Sequence, residues 1–180
     1  NVMLGYYNRP DATAEVMDSE GWFHTGDIGT FLDNRYLKIT DRKKEIFKTS
    51  GGKYIAPIMI ENKLKESPFI EQALVVGENQ KYAAALIVPS FLALKDWCAK
   101  HHINYSSNED LIGKKEVLDL IDKEIAESNK TLAPYETIKR VTLLPREWTI
   151  EKGEMTPKLS LKRKVIMDAN KQMVEKMFSE

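Results

Sequence analysis

This sequence lacks paired cysteines, an excess of charge of either sign and long apolar runs. Cys98 is its single cysteine, which excludes an intrachain disulfide and fits a reducing compartment. Lys and Arg total 27 and Asp and Glu total 27, which argues against a general nucleic-acid binder but not against a local phosphate site. No apolar run approaches the length of a membrane span. We therefore expect a cytoplasmic protein that has no nucleic-acid partner.

The length of 180 residues suits one ordinary domain or two small ones. Hydrophobic residues make up 42% and charged residues 30%, a balance typical of globular proteins. The chain begins with Asn1 rather than with an initiator Met, so we expect a piece of a longer protein.

Strand-like and helix-like segments are mixed without strict alternation, which predicts an α+β fold. Two short strands flank a turn at Asp33 and Asn34, and a second strand–turn–strand unit starts at Lys44 and turns at Gly51 and Gly52. Apolar periodicity and turn residues predict the remaining elements, which are a strand pair at 73–76 and 83–88, a strand at 138–145, and helices at 12–17 after an Asp11 cap, 58–66, 91–101 and 114–129.

The segment 154–165, EMTPKLSLKRKV, is rich in Lys and Arg. Ser160 is predicted to be the N-cap of a terminal amphipathic helix, and Lys158 lies before it in a loop that Pro157 stiffens into an extended form. Cations in the first helical turn oppose the helix dipole, which favours a functional interpretation, although a solvated basic face stays open. The predicted apolar stripe of this helix is Leu161, Val165, Ala169, Met173 and Met177.

Two further segments carry residues suited to chemistry. In HTGD, the carboxylate of Asp27 can accept two hydrogen bonds from a vicinal diol such as a ribose, or it can cap its own turn. A strand that starts at Lys44 would place Lys44 and Lys48 on one face, either for binding or to protect a sheet edge. Gly51 and Gly52 allow a close approach of the backbone, or they form only a hairpin turn.

Three blocks of the sequence, taken in order, resemble the last three signature blocks of the adenylate-forming enzymes. These blocks are GYYNRPDATAEVMDSEGWFHTGDIG, YLKITDRKKEIFKTSGGKYIAP and GEMTPKLSLKRKVI. The text between them is similar to the long-chain fatty acyl-CoA synthetase branch. The resemblance implies that residues 1–43 are a short β segment ending a large N-terminal domain. It also implies that residues 44–180 form a small mobile lid with a mixed or antiparallel sheet flanked by helices.

The resemblance implies a two-step ligation. Fatty acid and ATP give acyl-adenylate and pyrophosphate with Mg²⁺, and coenzyme A then gives acyl-CoA and AMP. The Mg²⁺ ligands and the acid pocket should lie upstream, so we expect no metal site in this chain and no turnover by it alone. Its partners would be the fatty acid, ATP, coenzyme A and the N-terminal domain of the same polypeptide. Peripheral membrane association is left open.

The resemblance also assigns roles to single residues. Asp27, with Thr25 beside it, matches the family aspartate that holds the ribose hydroxyls, and Arg42 matches an arginine near the ribose. Lys44 falls at the hinge position between the two domains. For the second half-reaction, the matching residues are Lys48 near the nucleotide, and Gly51 and Gly52 beside the pantetheine arm of coenzyme A.

The last block departs from the family pattern, Thr-Pro-Thr-x-Lys. Ser160 stands where that lysine would be, and Lys158 lies two residues earlier, within roughly 6–7 Å along an extended chain. We predict Lys158 to be the adenylation lysine, with Lys162 as the second choice. Two alternatives stay open: an adenylate-forming enzyme with another acid or a carrier-protein acceptor, and a non-catalytic binding or regulatory lid.

Overall fold

The computed structural model describes residues 2–179 and has the predicted α+β content. The chain divides into two compact units, the first ending at Glu45 and the second starting at Ile46. Each unit is described separately below.

The first unit holds a helix, α1 (Pro10–Val16), and an antiparallel hairpin of β1 (Asp27–Leu32) and β2 (Tyr36–Arg42). Asp33 and Asn34 adopt φ values of 51° and 52°, the left-handed geometry of a tight hairpin turn, so the predicted turn is confirmed. The predicted Asp11 cap is wrong. The helix starts two residues earlier than predicted, at Pro10, whose fixed φ suits the first helical position, and Asp11 pairs with Arg9 instead.

Residues 2–45 form no apolar core of their own. Of residues 2–45, Asp41 alone is buried. Phe31 and Leu37 are cross-strand partners in the hairpin and are 66% and 61% exposed. A two-stranded hairpin with apolar side chains in water is marginally stable at best. Contiguous exposed apolar side chains of this kind are typical of a surface that makes contacts.

The second unit is built on a mixed three-stranded sheet. Its elements in chain order are β3 (Phe47–Lys48), β4 (Tyr54–Ile55), α2 (Pro57–Leu64), β5 (Ile70–Val76), β6 (Ala83–Pro89), α3 (Phe91–Lys100), α4 (Asn108–Gly113), α5 (Lys115–Asn129), β7 (Ile138–Leu143), α6 (Arg163–Ala169) and α7 (Lys171–Phe178). The central strand β6 pairs antiparallel with β5 and parallel with β7.

The sequence of β6, AAALIVP, is apolar at every position because both faces of the strand are covered. Ala85 and Ile87 point to the cluster that contains Ile60 of α2 and Ile121 of α5. The alternate residues of β6 point to the opposite cluster, with residues of α6 and α7. The sheet therefore lies between two layers of helices, as the predicted lid fold requires.

The predicted terminal helix is wrong in its start, its continuity and its apolar stripe. Ser160 is not the N-cap, because its backbone pairs with Thr156 and the helix begins only at Arg163. A break at Asn170, with φ −115° and ψ 20°, then separates α6 from α7 and shifts the phase of the stripe. Ile166 of α6 and Met177 of α7 are buried, while three of the predicted stripe residues are exposed: Val165, Ala169 and Met173.

The predicted strand from Lys44 is also wrong. Residues 43–45 form a turn in which the Glu45 amide donates to the Arg42 carbonyl, and the strand begins at Phe47. Lys44 and Lys48 therefore do not share a strand face. Elsewhere, Cys98 is buried, and its burial raises the pKa of the thiol. Within residues 2–179, no helix combines the length and apolar character needed to cross a membrane.

Candidate active site

Asp27 and Arg42 lie opposite each other at the open end of the β1–β2 hairpin. The Nε of Arg42 is 3.3 Å from Oδ1 of Asp27, and the Asp27 amide donates to Oγ1 of Thr25 at 3.1 Å. Thr25 thus caps the turn, and the carboxylate of Asp27 projects to the arginine. The structure therefore gathers all three predicted nucleotide-binding residues. The ion pair is solvent-accessible, so it costs little to exchange for a ligand contact.

The loop that leads into Thr25 is ordered by Asp18, a residue that the sequence analysis did not single out. Its carboxylate accepts the amides of Glu20 and Trp22 and lies 3.0 Å from Nε2 of His24. The Trp22 amide, followed by His24, holds the pKa of Asp18 below its ordinary value. Asp residues often accept hydrogen bonds from amides a few residues later in a turn, so the sequence around Asp18 could have predicted this loop.

Lys44 is exposed in the turn at residues 43–45, one residue before the end of the first unit. Between Lys44 and the start of β3 at Phe47, the backbone belongs to no helix or strand. A hinge is typically formed by a few such connecting residues, so the location is compatible with the predicted role.

Lys48 lies on the β3–β4 hairpin opposite Tyr54, and its Nζ is 5.6 Å from the centre of the Tyr54 ring. Gly52 has φ +80°, a left-handed conformation that favours glycine, and its amide donates to the Thr49 carbonyl at 2.9 Å. Gly51 is different, because a Cβ there would meet nothing nearer than Oγ1 of Thr49 at 4.0 Å. The fold requires glycine at 52 but not at 51.

This hairpin is tied to the turn between β5 and β6. The Asn79 amide donates to the Lys48 carbonyl at 2.8 Å, and the Ser50 amide donates to the Gln80 carbonyl at 2.9 Å. Phe47 anchors the same strand in the core at 9% exposure. Lys48 is therefore presented from a fixed backbone, with only its own side chain free to move.

Lys158 lies at the tip of a closed turn, which we call the Lys158 hairpin and define as residues 155–161. Met155 and Leu161 form an isolated antiparallel bridge, the Thr156 amide donates to the Ser160 carbonyl at 2.8 Å, and Oγ1 of Thr156 accepts the Ser160 amide at 3.2 Å. The predicted extended loop is wrong, because these hydrogen bonds close the chain on itself. Lys158 is exposed at the tip, whereas Ser160 lies at the base of the turn.

Both ends of the Lys158 hairpin are attached to buried carboxylates. At the first end, Arg146 makes a bidentate pair with Glu154, with N–O distances of 2.7 and 2.9 Å. At the other end, Arg163 contacts Glu61 of α2 at 2.6 Å. The partners are 8 and 102 residues apart in sequence, so no local pattern could have revealed the pairs.

Lys162 follows directly after the Lys158 hairpin. Its amide donates to the Glu154 carbonyl at 2.8 Å, and the residue occupies the N-cap position of α6 without a side-chain cap. Lys158 and Lys162 are both exposed, so the structure leaves both side chains free to reach a ligand.

Within the described part of the chain, His, Cys, Asp and Glu side chains form no group of three or more that could hold a metal ion.

A family model described as AMP-binding enzyme C-terminal domain matches residues 44–180, more than half of the chain. The chain therefore belongs to the AMP-binding enzyme family and contains its C-terminal domain. Long-chain-fatty-acid–CoA ligase 1 of Homo sapiens is 38% identical over 99% of this chain, and FadD15 of Mycobacterium tuberculosis, also a long-chain-fatty-acid–CoA ligase, is 33% identical over 99%. The chain spans 26% and 30% of these two relatives.

Solved structures confirm the fold. The adenylation domain of a carboxylate reductase from Mycobacterium chelonae matches with a TM-score of 0.81 at 26% identity, covering 98% of this chain and 26% of that one. The A-PCP didomain of a carboxylic acid reductase from Segniliparus rugosus, solved in complex with AMP, has a TM-score of 0.77 at 27% identity, covering 99% and 23%. The resemblance to adenylate-forming enzymes inferred from the three sequence blocks is thus confirmed.

Proposed function

We propose that this chain is the C-terminal part of an ATP-dependent long-chain fatty acid–CoA ligase. The observation that carries the proposal is its identity of 33–38% to ligases of that name over 99% of its length. Fatty acid, ATP and coenzyme A are its proposed substrates, and the rest of the same polypeptide is its partner. A cytoplasmic location belongs to the proposal.

In the first half-reaction, the fatty carboxylate attacks the α-phosphorus of ATP and pyrophosphate leaves. Asp27 and Thr25 are proposed to hold the ribose hydroxyls, and Arg42 to lie beside them; their proximity at one hairpin end supports this. Lys158, with Lys162 as the second choice, would place its ammonium against the negative charge that develops between carboxylate and phosphate. Mg²⁺, bound by residues upstream, would supply charge neutralisation on the phosphates.

In the second half-reaction, the sulfur of coenzyme A attacks the acyl carbonyl, the thiol loses its proton, and AMP leaves. We assign Lys48 to the nucleotide in this step, and Gly51 and Gly52 to the passage of the pantetheine arm. The absence of any packing reason for glycine at position 51 supports a role in leaving space for a ligand.

The two half-reactions need two lysines on different hairpins, so one lid has to present two faces. We propose that residues 1–43 complete a large N-terminal domain, that residues 44–180 are the mobile lid, and that Lys44 is the hinge. The exposed apolar face of the first unit supports the first part of this division. The isolated chain is expected to be inactive, because most of the site would lie on the missing domain.

The test is acid-dependent ATP–pyrophosphate exchange by the full-length protein, followed by thioester formation with a panel of acids. Exchange that is strongest with long-chain fatty acids supports the proposal. The similarity to carboxylate reductase adenylation domains favours one alternative, an enzyme for another acid or a carrier-protein acceptor, and exchange with aryl or short acids alone would select it. Ser160 at the family's lysine position favours the other, a non-catalytic lid, which predicts no exchange with any acid.

A further inference from the structure

The structure assigns Glu154 and Arg146 as positioning residues that hold the Lys158 hairpin in place for adenylation. Neither residue is proposed to touch a substrate. This inference rests on the proposed function, because the step that the pair serves is the transfer of AMP to the fatty acid.

Glu154 connects both arms of the hairpin to the preceding loop. Its side chain is 4% exposed and accepts hydrogen bonds from Nη1 and Nη2 of Arg146. Its Oε2 also accepts the Thr149 amide at 3.2 Å. Its main-chain carbonyl accepts the Lys162 amide at 2.8 Å. One residue thus contacts the loop through its side chain and the returning arm through its backbone.

The loop that receives Glu154 is itself fixed to the sheet. The side-chain amide of Gln72, on β5, pairs with Trp148 in both directions, accepting its amide at 2.7 Å and donating to its carbonyl at 3.1 Å. Nε2 of Gln72 also lies 3.5 Å from the sulfur of Met155. Trp148 is buried at 2% exposure, in the cluster against which Met155 and Leu161 pack. The base of the hairpin is therefore continuous with a rigid strand.

The tip of the hairpin is closed by one hydrogen bond, in which the Leu159 amide donates to the Thr156 carbonyl at 2.8 Å. Leu159 adopts φ +60°, which is uncommon for a residue with a side chain, and it is 68% exposed. The direction in which Lys158 points therefore depends on this turn and on the hydrogen bonds at the base that orient the turn. Catalysis by a placed charge is sensitive to small displacements, and a shift of about 1 Å can cost on the order of 100-fold in rate.

Replacing Glu154 by Gln keeps the shape of the side chain but puts a donor NH₂ in front of a donor N–H of the guanidinium. Two donors cannot form a hydrogen bond, so the bidentate pair is lost. We expect the kcat of pyrophosphate exchange to fall on the order of 10- to 100-fold while the KM for ATP stays unchanged. Transfer from a synthetic long-chain acyl-adenylate to coenzyme A should keep its wild-type rate, because that step uses Lys48. Glu147→Gln, an exposed glutamate in the same loop, is the matched control and should leave both rates unchanged.

A double-mutant cycle separates positioning from a general structural effect. If Glu154 acts through Lys158, then Lys158→Ala combined with Glu154→Gln is no slower in exchange than Lys158→Ala alone. Additive losses, an equal fall in both half-reactions, or wild-type exchange by Glu154→Gln would each overturn the inference. Absence of exchange in the wild-type enzyme would instead overturn the proposed function.

Arg146→Lys provides a second variant in case Glu154→Gln does not fold. Arg146 is 46% exposed, so this change leaves no unpaired buried cation, and lysine keeps the charge while losing the bidentate geometry. The same selective loss of exchange is expected, smaller than for Glu154→Gln. Wild-type exchange by a folded Arg146→Lys enzyme, judged by its intact transfer step, would contradict the inference.

Discussion

Arg163 and Glu61 form a buried ion pair across the second unit. Nη1 of Arg163 is 2.6 Å from Oε1 of Glu61, and the two side chains are 16% and 8% exposed. Oε1 of Glu61 also accepts the Val75 amide at 2.7 Å, while Nη2 of Arg163 donates to the Val75 carbonyl. The pair therefore joins the start of α6 to α2 and β5. It also links the element after the Lys158 hairpin to the helix after the Lys48 hairpin.

Arg163→Met is expected to destabilise the chain by about 3 kcal/mol, because it leaves the carboxylate of Glu61 buried without its cation. The double variant Glu61→Leu with Arg163→Leu should lose less than that, since both charges are removed together. Urea unfolding of the 180-residue chain, followed by circular dichroism, measures both values. Equal losses in the single and double variants would show that the pair has no electrostatic role.

Lys158→Ala and Lys48→Ala should impair different half-reactions of the full-length enzyme. The first should slow pyrophosphate exchange about 100-fold, the usual cost of removing one group that stabilises developing charge. The second should slow transfer from the acyl-adenylate to coenzyme A by a similar factor and spare exchange. Lys152→Ala, an exposed lysine in the neighbouring loop, is the control.

The double variant Lys158→Ala with Ser160→Lys tests the same assignment by rescue. It restores a lysine at the position where the family pattern has one. Recovery of exchange would show that the two positions supply the same charge. Wild-type exchange by the single variant Lys158→Ala would contradict the assignment and direct attention to Lys162.

The two glycines of the β3–β4 hairpin should respond differently to substitution. Gly52→Ala is expected to cost about 1 kcal/mol in unfolding free energy, because alanine is strained at φ +80°. Gly51→Ala should leave stability unchanged and raise the KM for coenzyme A, if the pantetheine arm passes there. Unfolding curves and thioester kinetics for both variants test this, and an unchanged KM in Gly51→Ala would remove position 51 from the coenzyme A site.

Local pattern was sufficient for the sheet, whereas the residues around Asp27 were named through the resemblance to the adenylate-forming enzymes. Strand β6 is apolar throughout, and Asp33 with Asn34 marks a hairpin turn, so both could be predicted without tertiary information. The resemblance named Thr25, Asp27 and Arg42, and the antiparallel register of the hairpin brings Asp27 opposite Arg42. These features depend on neighbours along the chain or on one hairpin.

The region around Lys158 was predicted poorly because its structure is determined by distant partners. Periodicity placed Val165 in the core, but α6 buries Ile166 instead and leaves Val165 41% exposed. The break at Asn170 then changes the helix phase before Met177. Ser160 has a side chain that suits an N-cap, but its backbone carbonyl accepts the Thr156 amide and the helix does not begin there. The attachment of Arg163 to Glu61, 102 residues away, was beyond any local pattern.

Acid should remove the contribution of Glu154 to stability. The Arg146 guanidinium holds the pKa of Glu154 below its ordinary value of 4.5, assisted by the Thr149 amide and, at longer range, by Lys152. Because the folded-state pKa is the lower one, the stabilisation is fully present above about pH 4.5 and is lost as the pH falls through the folded-state value.

The measurement is the difference in unfolding free energy between the wild-type chain and Glu154→Gln, by urea titration at about pH 7, 5 and 3. The difference should be constant between the two higher values and smaller at the lowest, because protonation makes the wild-type carboxyl resemble the amide. A difference that stays the same at all three values would mean that Arg146 does not favour the ionised form of Glu154. The hairpin would then be held by its backbone bonds alone, and the effect of Glu154→Gln on exchange should vanish with it.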